Sequence, residues 1–590
     1  MLKVKALSAL LIGTSLVLTA LPALAQSDLL ENMSRVTDEM IQNPDPGSWL
    51  SYRRTLDNQG FSPLDQITKE NVGDLQVVWS RGMTEGYQEG TPLVHDGVMF
   101  VPHPRDIIQA LDATNGDLLW EYKRELPDNV PMIVATRNMA IWDNLIVFSS
   151  KDNYLVALDA KTGQLAWETQ LRDQDSWAWS TPGPIIVNGK AISGRSCAQQ
   201  PSGDTPVGGP ETCFLTAHDM KTGEEMWRFH TLPHGDMAGS ETWNGVDDSL
   251  RHHVGSWISP AYDPELNLVY FGTSVTSPYS KFYFANFDSV EDLDAQEFLY
   301  QTSTLAIDAD TGELKWYQQH LRDHWDLDHP FERVLVNTAI APNADEVRWI
   351  NPNVTPGEER RVVTGIPGKT GIFYSMDAAT GEFLWARETV YQNVISDIDT
   401  ATGRASIPLD MIPTEIGQSM LVCPSASGGR RWFTSTYSPL TNAIYTPLSN
   451  NCMQSVTLPN DIRLSPPVMA PGATNIGTIS AISVETGEEL WSLDQEDFTT
   501  SLLSTQGGLL FGGDTNRRFR AFDQDNGDVL FEAIVPSSVG GVPISYEVDG
   551  RQYIAVQVGS WLDIAPFVAL TPREVVTGGN AVVVFALPQK

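Results

Sequence analysis

The chain has 590 residues and carries 74 acidic side chains against 38 basic ones, a formal net charge of −36. So acidic a surface excludes a nucleic-acid interface, which needs clustered cations, and argues against an anionic membrane face, while it attracts basic protein partners at low salt. With 46 Gly, 37 Pro and 17 Trp and little helical periodicity, the composition is that of many short strands joined by turns.

Residues 1–25 read as an export signal. Lys3 and Lys5 form a charged start, Ala6 to Leu21 is a short apolar run, and Ala23-Leu24-Ala25 supplies a cleavage site before Gln26. No other long apolar run follows, so the mature chain is expected to be exported, periplasmic, and without a membrane span. Four Cys suit an oxidising compartment. The expected pairs are Cys197 with Cys213 and Cys423 with Cys452, each bracketing one segment. The sequence contains no C-x-x-C-H, so no covalently attached c-type haem is expected.

From Gln26 to about Pro46 the chain reads as a polar, peripheral arm. A repeat then recurs, A-x-D-x-x-T/N-G-x-x-x-W. Copies run Ala110…Trp120, Ala157…Trp167, Ala217…Trp227, Ala306…Trp316, Ser375…Trp385, Ala481…Trp491 and Ala521…Phe531, with a degenerate copy at Leu75…Trp79. Each copy predicts strand, tight turn, strand: apolar alternation before the Asp, Asp opening the turn, Gly supplying positive φ. The spacing is too uneven for a solenoid. The expected fold is therefore all-β, an eight-bladed β-propeller whose repeat tryptophans dock between blades, filling residues 26–590 as one domain. Insertions at Pro201–Thr212, Ser277–Gln301 and Asp397–Glu415 are expected as loops over one face.

One stretch stands out within this pattern. After the fourth full copy comes His324-Trp325-Asp326-Leu327-Asp328-His329. Asp326 and Asp328 are two residues apart, so on an extended segment they share a side. Like charges so placed need a cation between them or one retained proton, and hard cations prefer oxygen ligands. A solvated acidic loop is the alternative.

The repeats, the export signal and the W-D-x-D segment together resemble the quinoprotein alcohol dehydrogenases, and most closely their haem-free, secreted sorbose- and aldose-oxidising members. The resemblance implies an eight-bladed propeller holding pyrroloquinoline quinone (PQQ) and a metal on its axis. It assigns Glu89 in Gln88-Glu89-Gly90-Thr91-Pro92, Arg137 in Thr136-Arg137-Asn138, Thr181 in Ser180-Thr181-Pro182, Ser196 in Gly194-Arg195-Ser196, Trp257 in Gly255-Ser256-Trp257 and Trp561 in Gly559-Ser560-Trp561 to the cofactor. It also assigns Lys369 in Gly368-Lys369-Thr370 to the quinone oxygens, and Cys423-Pro424 with Cys452 to a family disulfide. A flat tricarboxylate needs an aromatic face and cationic or hydroxyl donors, which these residues supply.

Three departures accompany the likeness. The family's paired Cys before the quinone-binding Arg are replaced by Pro131-Met132, leaving Met132 or Ile133 to cover that face. The metal-binding Glu falls at Gln199 and the Asn near Val275 and Thr276, with Glu211 a candidate substitute. Asp328 resembles the extra carboxylate of lanthanide-using members. The metal ligands expected are thus Asp326, Asp328 and Gln199, for calcium first and a lanthanide second.

The implied reaction is oxidation of an alcohol, with Asp326 as general base and Lys369 steadying negative charge. Electrons pass to an external acceptor such as a soluble cytochrome c. Sugars or sugar alcohols are the expected substrates. A bulky secondary alcohol such as the trichothecene deoxynivalenol, or a non-catalytic propeller scaffold, are the alternatives. His324, His329, Trp325 and Tyr283 are candidate pocket residues, with ordinary packing the competing reading.

Overall fold

A computed structural model describes residues 28–128, 130, 135–173, 178, 180–197, 209–284, 287–459, 461–561, 564, 567, 569–571, 576 and 578–589. They build ten sheets: eight have a core of four antiparallel strands, and the other two are a two-stranded hairpin and a smaller sheet around Asn451–Thr457. Of the eight, the first comprises Leu93–His95, Val98–His103, Ile107–Asp112 and Leu118–Lys123; the fourth Ala261–Asp263, Leu268–Gly272, Ser303–Asp308 and Leu314–Gln319. The last is made from both ends of the chain: Gln76–Gly82 pairs antiparallel with Ala581–Ala586. Phe61–Ser62 adds a parallel edge to the sheet of Thr499–Thr505. The N-terminal arm contains a short helix, Asp38–Gln42.

The repeat explains the local geometry. Asp159 Oδ1 accepts the N–H of Lys161 (3.1 Å) and of Thr162 (2.9 Å), an Asx turn that replaces backbone pairing at the corner. Asp219, Asp308 and Asp377 repeat it. Gly312 closes its turn at φ +75, where any Cβ would also meet the Trp227 ring at 2.8 Å. Inner strands such as Val98–His103 are buried throughout, while outer ones such as Leu118–Lys123 alternate.

The repeat tryptophans bridge neighbouring sheets. Trp79 Nε1 donates to Ala113 O (3.2 Å), Trp120 to Ala160 O (2.9 Å), Trp167 to Met220 O (3.1 Å), Trp227 to Ala309 O (3.1 Å), Trp316 to Ala378 O (3.1 Å) and Trp491 to Gln524 O (2.9 Å). Each indole packs an apolar ring while its one donor is satisfied. Trp385 stacks on Phe373 instead (5.4 Å). Both expected disulfides are present, Cys197–Cys213 and Cys423–Cys452. The insertion at 277–301 carries two short helices, Lys281–Phe284 and Val290–Ala295, and that at 397–415 a two-stranded hairpin.

Candidate active site

The inner strands end in loops that bring the separated motifs together. Arg137 forms a buried ion pair with Glu89, Nη2 to Oε2 at 2.8 Å. Its guanidinium lies over two indoles, 5.1 Å from the Trp257 ring and 5.1 Å from the Trp432 ring. The Trp257 carbonyl accepts from Arg137 Nη1 (3.3 Å) and from Thr181 Oγ1 (3.2 Å), and Thr181 Oγ1 lies 3.4 Å from Ser196 Oγ. Five of the expected cofactor residues thus form one connected group. Glycines permit the approach: a Cβ on Gly183 would strike Asn138 O, and one on Gly194 would strike Ser256 O.

A second group stands beside it. Lys369 Nζ lies 3.2 Å from Asp326 Oδ1, 3.1 Å from Asp328 Oδ2 and 2.9 Å from the Asp326 carbonyl oxygen. Asp328 also accepts the Val275 N–H at 3.1 Å, which sets the expected position of the family's Asn against this carboxylate. Burial raises the Asp326 carboxyl well above the usual range, with Lys369 opposing and Asp328 and Asp323 reinforcing the shift. Burial acts on Asp328 too, but Lys369, His253 and the Val275 N–H outweigh it and hold that group below the usual value. The two carboxylates are therefore unlike: Asp326 favours the proton, Asp328 the charge.

The two groups meet through the loop after Ser427. Gly429 N donates to Lys369 O (2.7 Å), and Trp432 in the same loop faces Arg137. Arg431, almost buried, is close enough to Lys369 to oppose its charge. Sequence reasoning passed over Trp432 and Arg431. The available signal was a basic pair followed by an aromatic in a Gly-Gly loop.

Other expected residues lie elsewhere. Trp561 is fully enclosed, its ring 4.9 Å from Phe433 and 5.6 Å from Phe567, its Nε1 on Ser538 Oγ (3.3 Å). It belongs to the aromatic cluster that Trp257 packs against. Glu211 is exposed and accepts the N–H of Gly209 in its own turn. His324, Trp325 and His329 are core side chains, His329 stacked on His320 at 5.4 Å. Gln199, Pro131, Met132 and Ile133 lie outside the described residues, as does the Tyr283 side chain.

The donor chemistry tests what this centre can hold. Arg137 Nε, Ser180 Oγ, Ser256 Oγ and Trp432 Nε1 are buried donors without a hydrogen-bond partner, each on a residue of this group, next to one in sequence, or against Arg137. Such groups are costly unless an acceptor meets them, and a flat polyanion would. The buried hydroxyl of Thr276, next in sequence to Val275, is likewise unpartnered. Two carboxylates and a hydroxyl are hard oxygen donors. Among the described residues no three His, Cys, Asp or Glu converge on one point, so a cation here would rest on this mixed set.

The family described as PQQ, the glucose/ethanol/alcohol dehydrogenase β-propeller domain, matches residues 49–393 and 497–554. The chain belongs to this family of PQQ-dependent alcohol dehydrogenases, oxidoreductases acting on CH–OH groups. The dehydrogenase subunit of the quinone-dependent alcohol dehydrogenase of Komagataeibacter europaeus is 32% identical over 581 residues, covering 90% of this chain and 74% of that protein. Quinohemoprotein alcohol dehydrogenase ADH-IIG of Pseudomonas putida is 31% identical over 592 residues, covering 94% and 78%. The solved structure of ADHIIG from Pseudomonas putida HK5 superposes with a TM-score of 0.79 at 27% identity, over 95% of this chain and 83% of that one. The all-β, propeller character of the fold follows from family and superposition together.

Proposed function

We propose that this chain oxidises an alcohol to its carbonyl compound, using PQQ and a hard cation bound at the centre just described. The observation that carries this reading is the meeting of the Glu89–Arg137–Trp257–Thr181–Ser196 group with the Asp326–Lys369–Asp328 group, around donors that lack partners. Trp257 offers an aromatic face to the cofactor; Arg137, Thr181 and Ser196 bind its carboxylates; Glu89 orients Arg137; Trp561 supports the cluster from below. Asp326, Asp328 and Gln199 hold the cation. Calcium is the first choice, and the second carboxylate, Asp328, makes a lanthanide the alternative.

When bound, PQQ supplies a two-electron, hydride-accepting centre. Asp326 accepts the proton of the substrate hydroxyl as general base. Lys369 orients both carboxylates and places positive charge where an oxygen becomes negative. Asp328, kept charged, balances Lys369.

We further read the eight sheets with a four-strand core as blades of one closed, eight-bladed propeller over residues 26–590, with residues 1–25 as the export signal. Support comes from the tryptophan bridges and from the pairing of Gln76–Gly82 with Ala581–Ala586. A periplasmic location fits the two disulfides, and no helix among the described residues is long and apolar enough to cross a membrane. The electrons pass to an external acceptor, a soluble cytochrome c or similar protein. The substrate class is sugars and sugar alcohols, as in the haem-free members, with a bulky secondary alcohol such as deoxynivalenol as the second reading.

The test is reduction of an artificial dye by protein loaded with PQQ and either calcium or a lanthanide, across sugars, simple alcohols and one bulky secondary alcohol. Quinone- and metal-dependent reduction supports the proposal, and the best alcohol names the class. No reduction with any alcohol, and no quinone retained, contradicts it.

A further inference from the structure

The turn that carries Asp326 is held from behind by a residue that takes no part in the chemistry. Asp323 is fully buried and accepts three consecutive backbone N–H groups. Trp325 N and Asp326 N donate to Oδ2, and Leu327 N to Oδ1, each at 2.9 Å. Asp326 itself lies at φ +67, the left-handed region that L-residues avoid. Such a conformation persists only where neighbours over-determine it, and here these three bonds do so together with the Lys369 Nζ contact to the Asp326 carbonyl oxygen at 2.9 Å.

Asp323 is fixed in turn from the insertion at 277–301. Lys281 is fully buried, and its Nζ donates to the Asp323 carbonyl oxygen and, at 3.4 Å, to that of Tyr279. Its charge also offsets the burial of the Asp323 carboxylate. Two more ties join the same segments. Arg322 donates from Nε (3.2 Å) and Nη2 (2.7 Å) to Asp294 on the helix Val290–Ala295, and Gln319 Nε2 donates to Glu297 O at 2.7 Å. Residues 319, 322 and 323 are thus each tied to the insertion. These ties set the insertion against the segment that leads into Asp326.

We infer that Asp323 and Lys281 are positioning residues for Asp326, and that they lock the described parts of the insertion, 279–284 and 290–297, and the base-bearing turn into one rigid unit. The inference rests on the reading of Asp326 as the base. Its consequence is that the placement of the insertion and the aim of the base are coupled. A change in the insertion should therefore lower turnover and not only substrate affinity.

The experiment uses the full mature chain as Asp323→Asn, Lys281→Met and Asp294→Asn, each with and without PQQ and calcium. Hydrogen exchange of the peptide spanning 321–329 is read in the ligand-free protein, with the peptide 509–523 as internal control. Exchange at 325–327 should quicken by about tenfold or more in Asp323→Asn and Lys281→Met, with the control unchanged. In loaded protein kcat should fall by about 10- to 100-fold, as for a base misplaced by about an ångström. KM for a small alcohol should stay within about threefold. A general loss of folding would move the control peptide too. Where Asp323→Asn does not fold, Lys281→Met and the surface variant Asp294→Asn carry the test. Unchanged exchange in the folded variants, or faster exchange with kcat intact, overturns the inference. A wild-type protein without quinone-dependent turnover contradicts the proposed function instead, and the exchange measurement then decides alone whether the turn is braced.

Discussion

Replacing Asp326 by Asn separates a catalytic carboxylate from a structural one. Asp326 Oδ1 lies 3.2 Å from Lys369 Nζ, an attraction of roughly 5 kcal/mol at an effective dielectric of about 20. Yet burial still lifts its carboxyl above the ordinary range, so at neutral pH the charged form costs folding energy. Lys369 keeps its second partner, Asp328 at 3.1 Å, when Asp326 is neutralised. Each unit of raised pKa corresponds to about 1.4 kcal/mol, so the Asn variant should gain about 1–3 kcal/mol in ligand-free protein at pH 7. For a chain of 590 residues the unfolding entropy is roughly 1.2 kcal/mol/K, at about 2 cal/mol/K per residue, so Tm should rise by about 1–2 °C. The sign sets the pH dependence. A raised folded pKa favours folding below the ordinary carboxylate pKa of about 4 and loses that favour as pH climbs. The gap between variant and wild type should open above about pH 4 and close below it. With PQQ and saturating metal, kcat should fall by about 10²- to 10⁴-fold, the usual worth of a general base, while quinone stays bound. Differential scanning fluorimetry, quinone absorbance after gel filtration and dye reduction read the three quantities. A variant that is less stable, or that keeps kcat within tenfold of wild type, would refute the reasoning.

Four further outcomes follow from the same contacts. Trp257→Ala removes the aromatic face and the contact with Arg137 at 5.1 Å; quinone titration should show affinity weakened by about 30- to 150-fold, since stacking and lost burial are together worth about 2–3 kcal/mol. Cys423→Ser with Cys452→Ser opens a loop of sequence separation 29 and should cost about 3–4 kcal/mol, read as a Tm fall against the wild type under oxidising conditions. Gly312→Ala forces a side chain to φ +75 against Trp227 and should lower Tm by about 1–2 °C, from a strain of about 1–3 kcal/mol. Electron transfer to a basic cytochrome c should slow severalfold or more as salt shortens the screening length from about 30 Å to about 8 Å; a salt-independent rate would remove charge from the partner's recognition.

What could be read from the chain and what could not divide along one physical line. The repeat is local: Asp308, Thr311, Gly312 and Trp316 act on one another or on the next turn, so their spacing is fixed and visible. The turn geometry and the tryptophan bridges follow from it. Glu89, Arg137, Thr181, Ser196 and Trp257 touch across long stretches of chain. No periodicity pairs them, and only the family likeness named them. Trp432 and Arg431 were missed because each is meaningful only beside Arg137 or Lys369. Asp323, two residues before Trp325, carries no motif of its own in the sequence. Its work is done on backbone N–H groups, which composition does not reveal. Trp561 shows the converse: a motif at the right place in the order, whose ring the surrounding Phe433 and Phe567 enclose.

The most direct measurement is a single turnover without any electron acceptor. Protein loaded with one equivalent of PQQ and calcium is mixed with an alcohol it oxidises, and the quinone absorbance and the carbonyl product are followed together. The account predicts loss of one equivalent of oxidised quinone with one equivalent of carbonyl in the wild type, and no such phase in Asp326→Asn with quinone still bound. Carbonyl formed without change in the quinone, or an equal burst in Asp326→Asn, would contradict it.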